Sequence, residues 1–363
     1  MRTTWSVAAV MTAALCVANL AGCSRAAARE VRLDAGRSLG TPITFRNLSL
    51  VPVYDTKATA TGAYMTLDEG LKARRVTVRE SPNGGDVNRL FVTNAGPKPV
   101  YLIAGEVVLG GQQDRCVGKD TVIPPSKRPI PITVFCVEHG RWSGEARFSG
   151  SARTVAAHKI RASAQEGAVA PVRGGDGPTA MAANARAARI SEGQSKVWEE
   201  VAAKNRRFGA APSSGTYRDV LQGTGGTSGA STAPYIKALA SALPKDKRLA
   251  GVVVAVDGKV VAADVFGDTA LFRKLFPKLL RSYASDAAEA AGGKAGRTKA
   301  VTASAARAFL AEAGKGKSSA VDRSADNTIT RLETSKAMLF RSSSPAMGGA
   351  AAAKSLHENY LGK

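Results

Sequence analysis

The stretch "GVVVAVDGKVVAADVFGDTALFRKLFPKLLRSYASDA", Gly251 to Ala287, constrains this chain more than any other. Two Val-rich runs flank Asp257-Gly258, a pair that tolerates the positive φ of a tight hairpin turn. Asp268 then stands where a helix needs a cap, and Leu271, Phe272, Leu275, Phe276, Leu279, Leu280 and Tyr283 follow at helical spacing. An apolar stripe that broad must be buried, and a hairpin of β-branched residues supplies the sheet to bury it. The fold class that follows is α+β.

The rest of the chain agrees. Period-two alternation at Ile43–Asp55, Arg74–Glu80, Asn88–Gly96 and Lys98–Gly111 predicts an antiparallel-rich sheet in the N-terminal half. Thr66 and Glu69 have capping-box spacing for one short helix there. Beyond it the C-terminal half reads as helices, the hairpin and its covering helix. One of those helices spans Ile190–Gly209, with Ser191 as its cap, and a second spans Thr232–Leu243. Gly, Pro and Ala enrichment predicts mobile loops near 160–190 and 290–320. No internal repeat is present.

The first residues set the expected location. Arg2, an apolar run from Trp5 to Ala21 and the order Leu20-Ala21-Gly22-Cys23 look like a lipoprotein signal peptide over residues 1–22. Cys23 would then receive diacylglycerol and, with palmitate, anchor the chain in a lipid bilayer, residues 23–39 serving as a tether. An ordinary secretory signal is the alternative. Ser24 in place of Asp after the cysteine favours the periplasmic face of the outer membrane if the host is Gram-negative. The formal charge of +22 calls for an anionic partner, either a small molecule or an envelope polyanion. Lys and Arg are spread along the chain and aromatics make up only 6%, which argues against nucleic acid. Cys16 leaves with the signal, so Cys116 and Cys136 remain, either as a disulfide contributing on the order of 3 kcal/mol or as two packed free thiols.

The polar residues with chemical reach are concentrated in "AGEVVLGGQQDRCVGKDTVIPPSKRPIPITVFCVEHGRW", Ala104 to Trp142. Glu106 sits among Ile103, Val107, Val108 and Leu109, where a lone buried carboxylate is costly. Alternation sends Gln113 and Arg115 to one face and Gln112 and Asp114 to the other. Were the two strands to pair near their ends, Glu106, Gln113, Arg115, Glu138 and Arg141 would converge. Glu106 and Glu138 would offer acid and base roles, and Gln113, Asp114, Arg115 and Arg141 would bind a phosphate or carboxylate. The competing expectation pairs Arg115 with Glu138 and Arg141 with Glu106 to fasten the sheet, Trp142 plugging the core. Asp264 can point into the same place or simply follow the hairpin's alternation. Cys116, Cys136 and His139 lack a fourth zinc ligand, and Gly223–Gly226 lacks the P-loop lysine, so neither metal nor cofactor is expected.

Three segments, "AGEVVLGGQQDR", "VFCVEHGRW" and "GVVVAVDGKVVAADVFGDTALF", resemble the ARG and rhodanese-phosphatase-superfamily-associated protein domain family. The resemblance runs from about Leu39 to the C-terminus and implies one α+β unit, so residues 40–363 are expected to form a single α+β domain. The family is named for genomic neighbours of ADP-ribosylglycohydrolases and phosphatases, which implies a phosphorylated or ADP-ribose-like ligand. The functional expectation is an anchored lipoprotein whose Arg/Glu-lined site holds an anionic ligand. The alternatives are a hydrolase-like enzyme using Glu106 or Glu138 as general base, and a structural lipoprotein acting through protein partners.

Overall fold

The computed structural model describes residues 30–34, 36–81, 86–169, 180–222, 231–292, 300–324, 326–344 and 355–363. The signal segment, Cys23 and the Gly223–Gly226 stretch lie outside these residues. The first half contains strands β1 (Val31–Arg32), β2 (Arg37–Leu39), β3 (Ile43–Phe45), β4 (Leu48–Asp55) and β5 (Met65–Thr66), helix α1 (Leu67–Lys72), then β6 (Val76–Arg79) and β7 (Arg89–Asn94). It continues through β8 (Val100–Leu102), β9 (Glu106–Gly110), β10 (Arg115–Val117), β11 (Thr121–Ile123), β12 (Ser126–Cys136) and β13 (Phe148–Val155). The second half begins with α2 (His158–Ala168), α3 (Ala180–Phe208), α4 (Arg218–Gln222) and α5 (Ala233–Leu239). After the hairpin β14 (Leu249–Val256) and β15 (Lys259–Phe266) come α6 (Thr269–Ala291) and α7 (Ala303–Gly314). Strands β16 (Lys317–Ser324), β17 (Asn327–Glu333), β18 (Ala337–Ser343) and β19 (Ser355–Gly362) end the chain.

This is an α+β fold built on a large sheet in the order β1-β2-β4-β14-β15-β19-β18-β17-β16, with β3 also paired to β4. Because β4 lies between β2 and β14, the two halves of the chain share one sheet. A second sheet runs β13-β9-β10-β12-β7-β6, and a small one β11-β8-β5. Every residue of β4 and of β14 is buried, since the sheet is covered on both sides. The stripe Leu271, Phe272, Leu275, Phe276, Leu279, Leu280 and Tyr283 of α6 packs on one side with Val252 and Val254. Ala306, Leu310 and Ala313 of α7 cover the other with Val51, Val53 and Val253.

Local signals formed as expected. Asp257 and Gly258 take φ of 50° and 75°, the all-positive pair of a tight hairpin turn. The Asp268 carboxylate accepts from the N–H groups of Ala270 and Leu271, and Thr66 and Glu69 complete a reciprocal capping box.

Three expectations need correction. The end of the segment expected as a tether is folded, because β1 and β2 join the large sheet and Arg37 is fastened to Asp55 and Glu358. The segment near 160–190 is helical over residues 160–168 and 180–190, and α3 begins at Ala180, so Ser191 is mid-helix and not a cap. A Cβ on Gly167 would come within 3.0 Å of the Gly193 Cα, so these glycines permit close packing of α2 on α3 and do not mark a loop. Near 290–320, α7 and the start of β16 replace much of the expected loop.

Cys116 and Cys136 are both free. Across β10 and β12, Cys116 faces Phe135 and Cys136 faces Arg115. Directly opposed residues share a face, so the two thiols project to opposite sides of the sheet and no disulfide can join them. Burial pushes both thiols up to about 12. We expect Cys116 and Cys136 to resist iodoacetamide in the folded protein and to react in urea, with the melting temperature unchanged by reductant. Rapid alkylation of either residue without denaturant, read by peptide mass spectrometry, would contradict the packing.

Candidate functional site

The six residues singled out in the sequence separate into distinct surroundings. Glu106 opens β9 and is wholly buried against Lys278 of α6, which also lies 3.0 Å from Asp68. Burial pushes the Glu106 carboxyl up against the opposing pull of Lys278. Glu138 belongs to a different group. Its Oε2 accepts from Arg141 Nε and Nη2 at 3.0 and 2.7 Å and from the Asp114 N–H at 3.2 Å, and its Oε1 accepts from Ser214. Burial works against its charge, but Arg141 and these donors hold the carboxyl below its ordinary range. Among the described residues Glu106 and Glu138 share no partner, so they are not brought together as an acid and base pair.

Around Glu138 the hairpin turn makes a closed set of pairs. Asp114 accepts from Arg218 Nε and Nη2 at 3.1 and 2.8 Å and from the Gly110 N–H at 2.8 Å. Arg141 spends its Nη1 on the carbonyls of Gly111 and Ser143. Gln113 accepts from the Cys136 thiol and donates to the His139 carbonyl. Arg115 is buried, donates Nε to the Val87 carbonyl and lies 3.6 Å from Glu80, with Trp142 over its guanidinium. Trp142 is 48% exposed and is not a core plug. The ion pairs therefore fasten the hairpin as the structural alternative expected, through different partners. Ser214 and Arg218, which follow α3, and Glu80, which follows β6, were missed because they lie outside the Ala104–Trp142 stretch.

Asp264 joins neither group. In the core between β15, β19, α2 and α6 its Oδ1 lies 2.8 Å from Arg161 Nη1, 3.0 Å from His357 Nε2 and 3.1 Å from Asn359 Nδ2. Tyr283 donates to its Oδ2 at 2.5 Å. On its other edge, His357 Nδ1 is 2.7 Å from Asp120. Burial opposes every one of these charges, yet Arg161 and His357 hold Asp264 well below the carboxylate range, and Asp120 chiefly holds His357 above the usual imidazole range. The network is fully buried and pins three parts of the fold together.

A cleft of about 710 Å³ opens elsewhere, between α2, α3, α6 and the β14–β15 hairpin. One wall carries a chain of alternating charges. His158, the first residue of α2, has Nδ1 3.1 Å from Asp286 Oδ2, and its backbone N–H donates to the same oxygen at 3.1 Å. Lys204 reaches Asp286 at 2.9 Å and also pairs with Glu289, which in turn meets Arg207 at 2.5 Å. Burial opposes charge on both Asp286 and Lys204, but their mutual attraction keeps the carboxyl well below and the ammonium well above its ordinary range. Lys159 and Lys259 line the same cleft and have no ion pair among the described residues. Ile160, Val260, Val261 and Met338 supply apolar surface. This wall is weakly signalled in the sequence, because α2 begins the Ala-, Gly- and Pro-rich stretch after His158 that reads as loop.

Among the described residues no helix is long and apolar enough to cross a membrane. Comparison with curated proteins and with solved structures returned no match. A family model, the ARG and Rhodanese-Phosphatase-superfamily-associated Protein domain, matches residues 36–356, which takes in the β14–β15 hairpin, the Glu138 cluster and most of the cleft and ends just before His357. The chain belongs to that family.

Proposed function

We propose that this chain is an envelope lipoprotein, anchored through acylated Cys23, that binds a small anionic ligand in the cleft between α2, α3 and α6. The observation that carries this reading is the cleft of about 710 Å³, lined by two lysines, Lys159 and Lys259, that form no ion pair among the described residues, with Glu166 and Glu200 also on its lining. Its size lies in the range of roughly 300–1,000 Å³ that small-molecule sites occupy. Lys204 and Arg207 are committed to Asp286 and Glu289, so the spare charge for an anion rests with Lys159 and Lys259. The apolar wall would hold the body of the ligand, and the chain's +22 charge would favour its approach. The Arg141 and Arg218 cluster is a poorer host, since Glu138 and Asp114 already occupy both guanidinium groups.

Calorimetric titration of the full chain in detergent with ADP-ribose-type nucleotides, inorganic phosphate and anionic glycans tests the proposal. Binding of one of these should weaken with added salt and should fall at least about tenfold in Lys159→Ala, Lys259→Ala, a loss of about 1.4 kcal/mol. Both lysines are exposed, so the variant should keep its fold. Undiminished affinity in that variant, with loss in Arg141→Ala instead, would return the site to the hairpin cluster.

A further inference from the structure

The geometry points to hydrolysis of anionic carboxylic esters in this cleft, with His158 as the proton acceptor for an attacking water. The inference rests on the binding reading above. The Nδ1 edge of His158 is buried against Asp286, while its side chain keeps 21% exposure and lines the cleft. With Nδ1 turned to Asp286, Nε2 is the ring nitrogen left to take a proton from the cleft side. Nδ1 lies within ion-pair distance of Asp286 but is not aligned as a hydrogen bond, a looseness common where substrate is absent. The carboxylate behind the ring is itself fixed, by the α2 backbone N–H and by Lys204, and Lys204 is fixed in turn by Glu289, which Arg207 also holds. A histidine backed by a buried carboxylate is how an imidazole is oriented and its charged form stabilised.

The reaction class follows from there being one imidazole. In acyl transfer the same imidazole can serve both steps. Water attacks the acyl carbon as its O–H bond breaks, its proton passes to His158 Nε2, and a tetrahedral oxyanion forms. The carbon–oxygen bond to the leaving group then breaks, its electron pair goes to the leaving oxygen, and the imidazolium returns the proton there. Products are a carboxylic acid and an alcohol. In-line displacement at phosphorus places entering and leaving oxygens on opposite sides, where a single imidazole cannot reach both, whereas at an acyl carbon it can. Lys159 adjoins the base and Lys259 lines the same cleft, so both are placed to hold the acidic part of the substrate.

The test uses the full chain in detergent with mono-p-nitrophenyl succinate as probe, following release of nitrophenolate, and succinate itself as the binding probe in calorimetry. The expected result is saturable hydrolysis, with kcat reduced about 100-fold or more in His158→Gln and KM little changed. Lys159→Ala, Lys259→Ala should raise KM. If His158→Gln does not fold, carbethoxylation of His158 in the wild type by diethyl pyrocarbonate should abolish turnover, and succinate should protect. Succinate binding that depends on the two lysines, with no turnover or with turnover that survives loss of His158, would overturn hydrolysis and leave the binding reading standing. Absence of anion binding to the cleft by any probe would remove both.

Discussion

Asp264→Asn is expected to destabilise the protein by about 3–5 kcal/mol, the usual cost of breaking a buried ion pair from one side. Removing this charge leaves Arg161 and His357 in the core without their common counter-ion, at 2.8 and 3.0 Å from a neutral amide. Urea unfolding should show a lowered midpoint with the same slope. A loss below about 1 kcal/mol would mean that the network is not held as described. The pH dependence has two limbs. Asp264 and Asp120 are held below their ordinary values, so their contribution is present above the unfolded aspartate pKa of about 3.9 and fades as pH falls from there. His357 is held above its ordinary value, so its contribution is complete below about 6.5 and fades as pH rises through the folded value. Stability from this network should therefore be greatest between about pH 4 and 6.5, and His357→Gln should flatten the alkaline limb.

The network also shows where the sequence stops being readable. Asp264 stands out within "AADVFG", but its partners lie far along the chain, Arg161 103 residues away and His357 93. His357 looks like an isolated histidine until β15 and β19 are in register, Phe266 opposite His357 and Asp264 opposite Asn359. Interactions that close within three or four residues were legible, because a cap or a tight turn is determined by its own neighbours. The Asp257-Gly258 turn, the Asp268 cap and the Thr66 box are of this kind. Arg141 with Glu138 is local too, three residues apart, yet expectation gave each a distant partner. The cleft was hidden twice over, since its wall comes from three helices and one of them was taken for a loop. Glycine carries opposite meanings at Gly258, where φ demands it, and at Gly167, where a neighbouring helix does.

Lys278→Met should cost about as much as the Asp264 substitution, roughly 3–5 kcal/mol at neutral pH, and for a reason that also bears on Glu106 as a catalytic candidate. Glu106 is fully buried and its only charged hydrogen-bond partner among the described residues is Lys278. With the ammonium gone, the carboxylate must either stay charged in an apolar setting or take up a proton. The carboxyl is already held above its ordinary value by burial, so protonation becomes the easier course as the solution is acidified. The destabilisation by Lys278→Met should therefore shrink towards low pH, a group with a raised folded pKa costing least when it is neutral. Combining the substitution with Glu106→Gln removes the uncompensated charge and should restore at least about 1–2 kcal/mol at neutral pH, which a double-mutant cycle by urea unfolding would measure. A strictly additive cycle would show that the pair contributes nothing as a pair. It would also free Glu106 for another role, whereas strong coupling identifies it as the carboxylate that ties β9 to the covering helix α6.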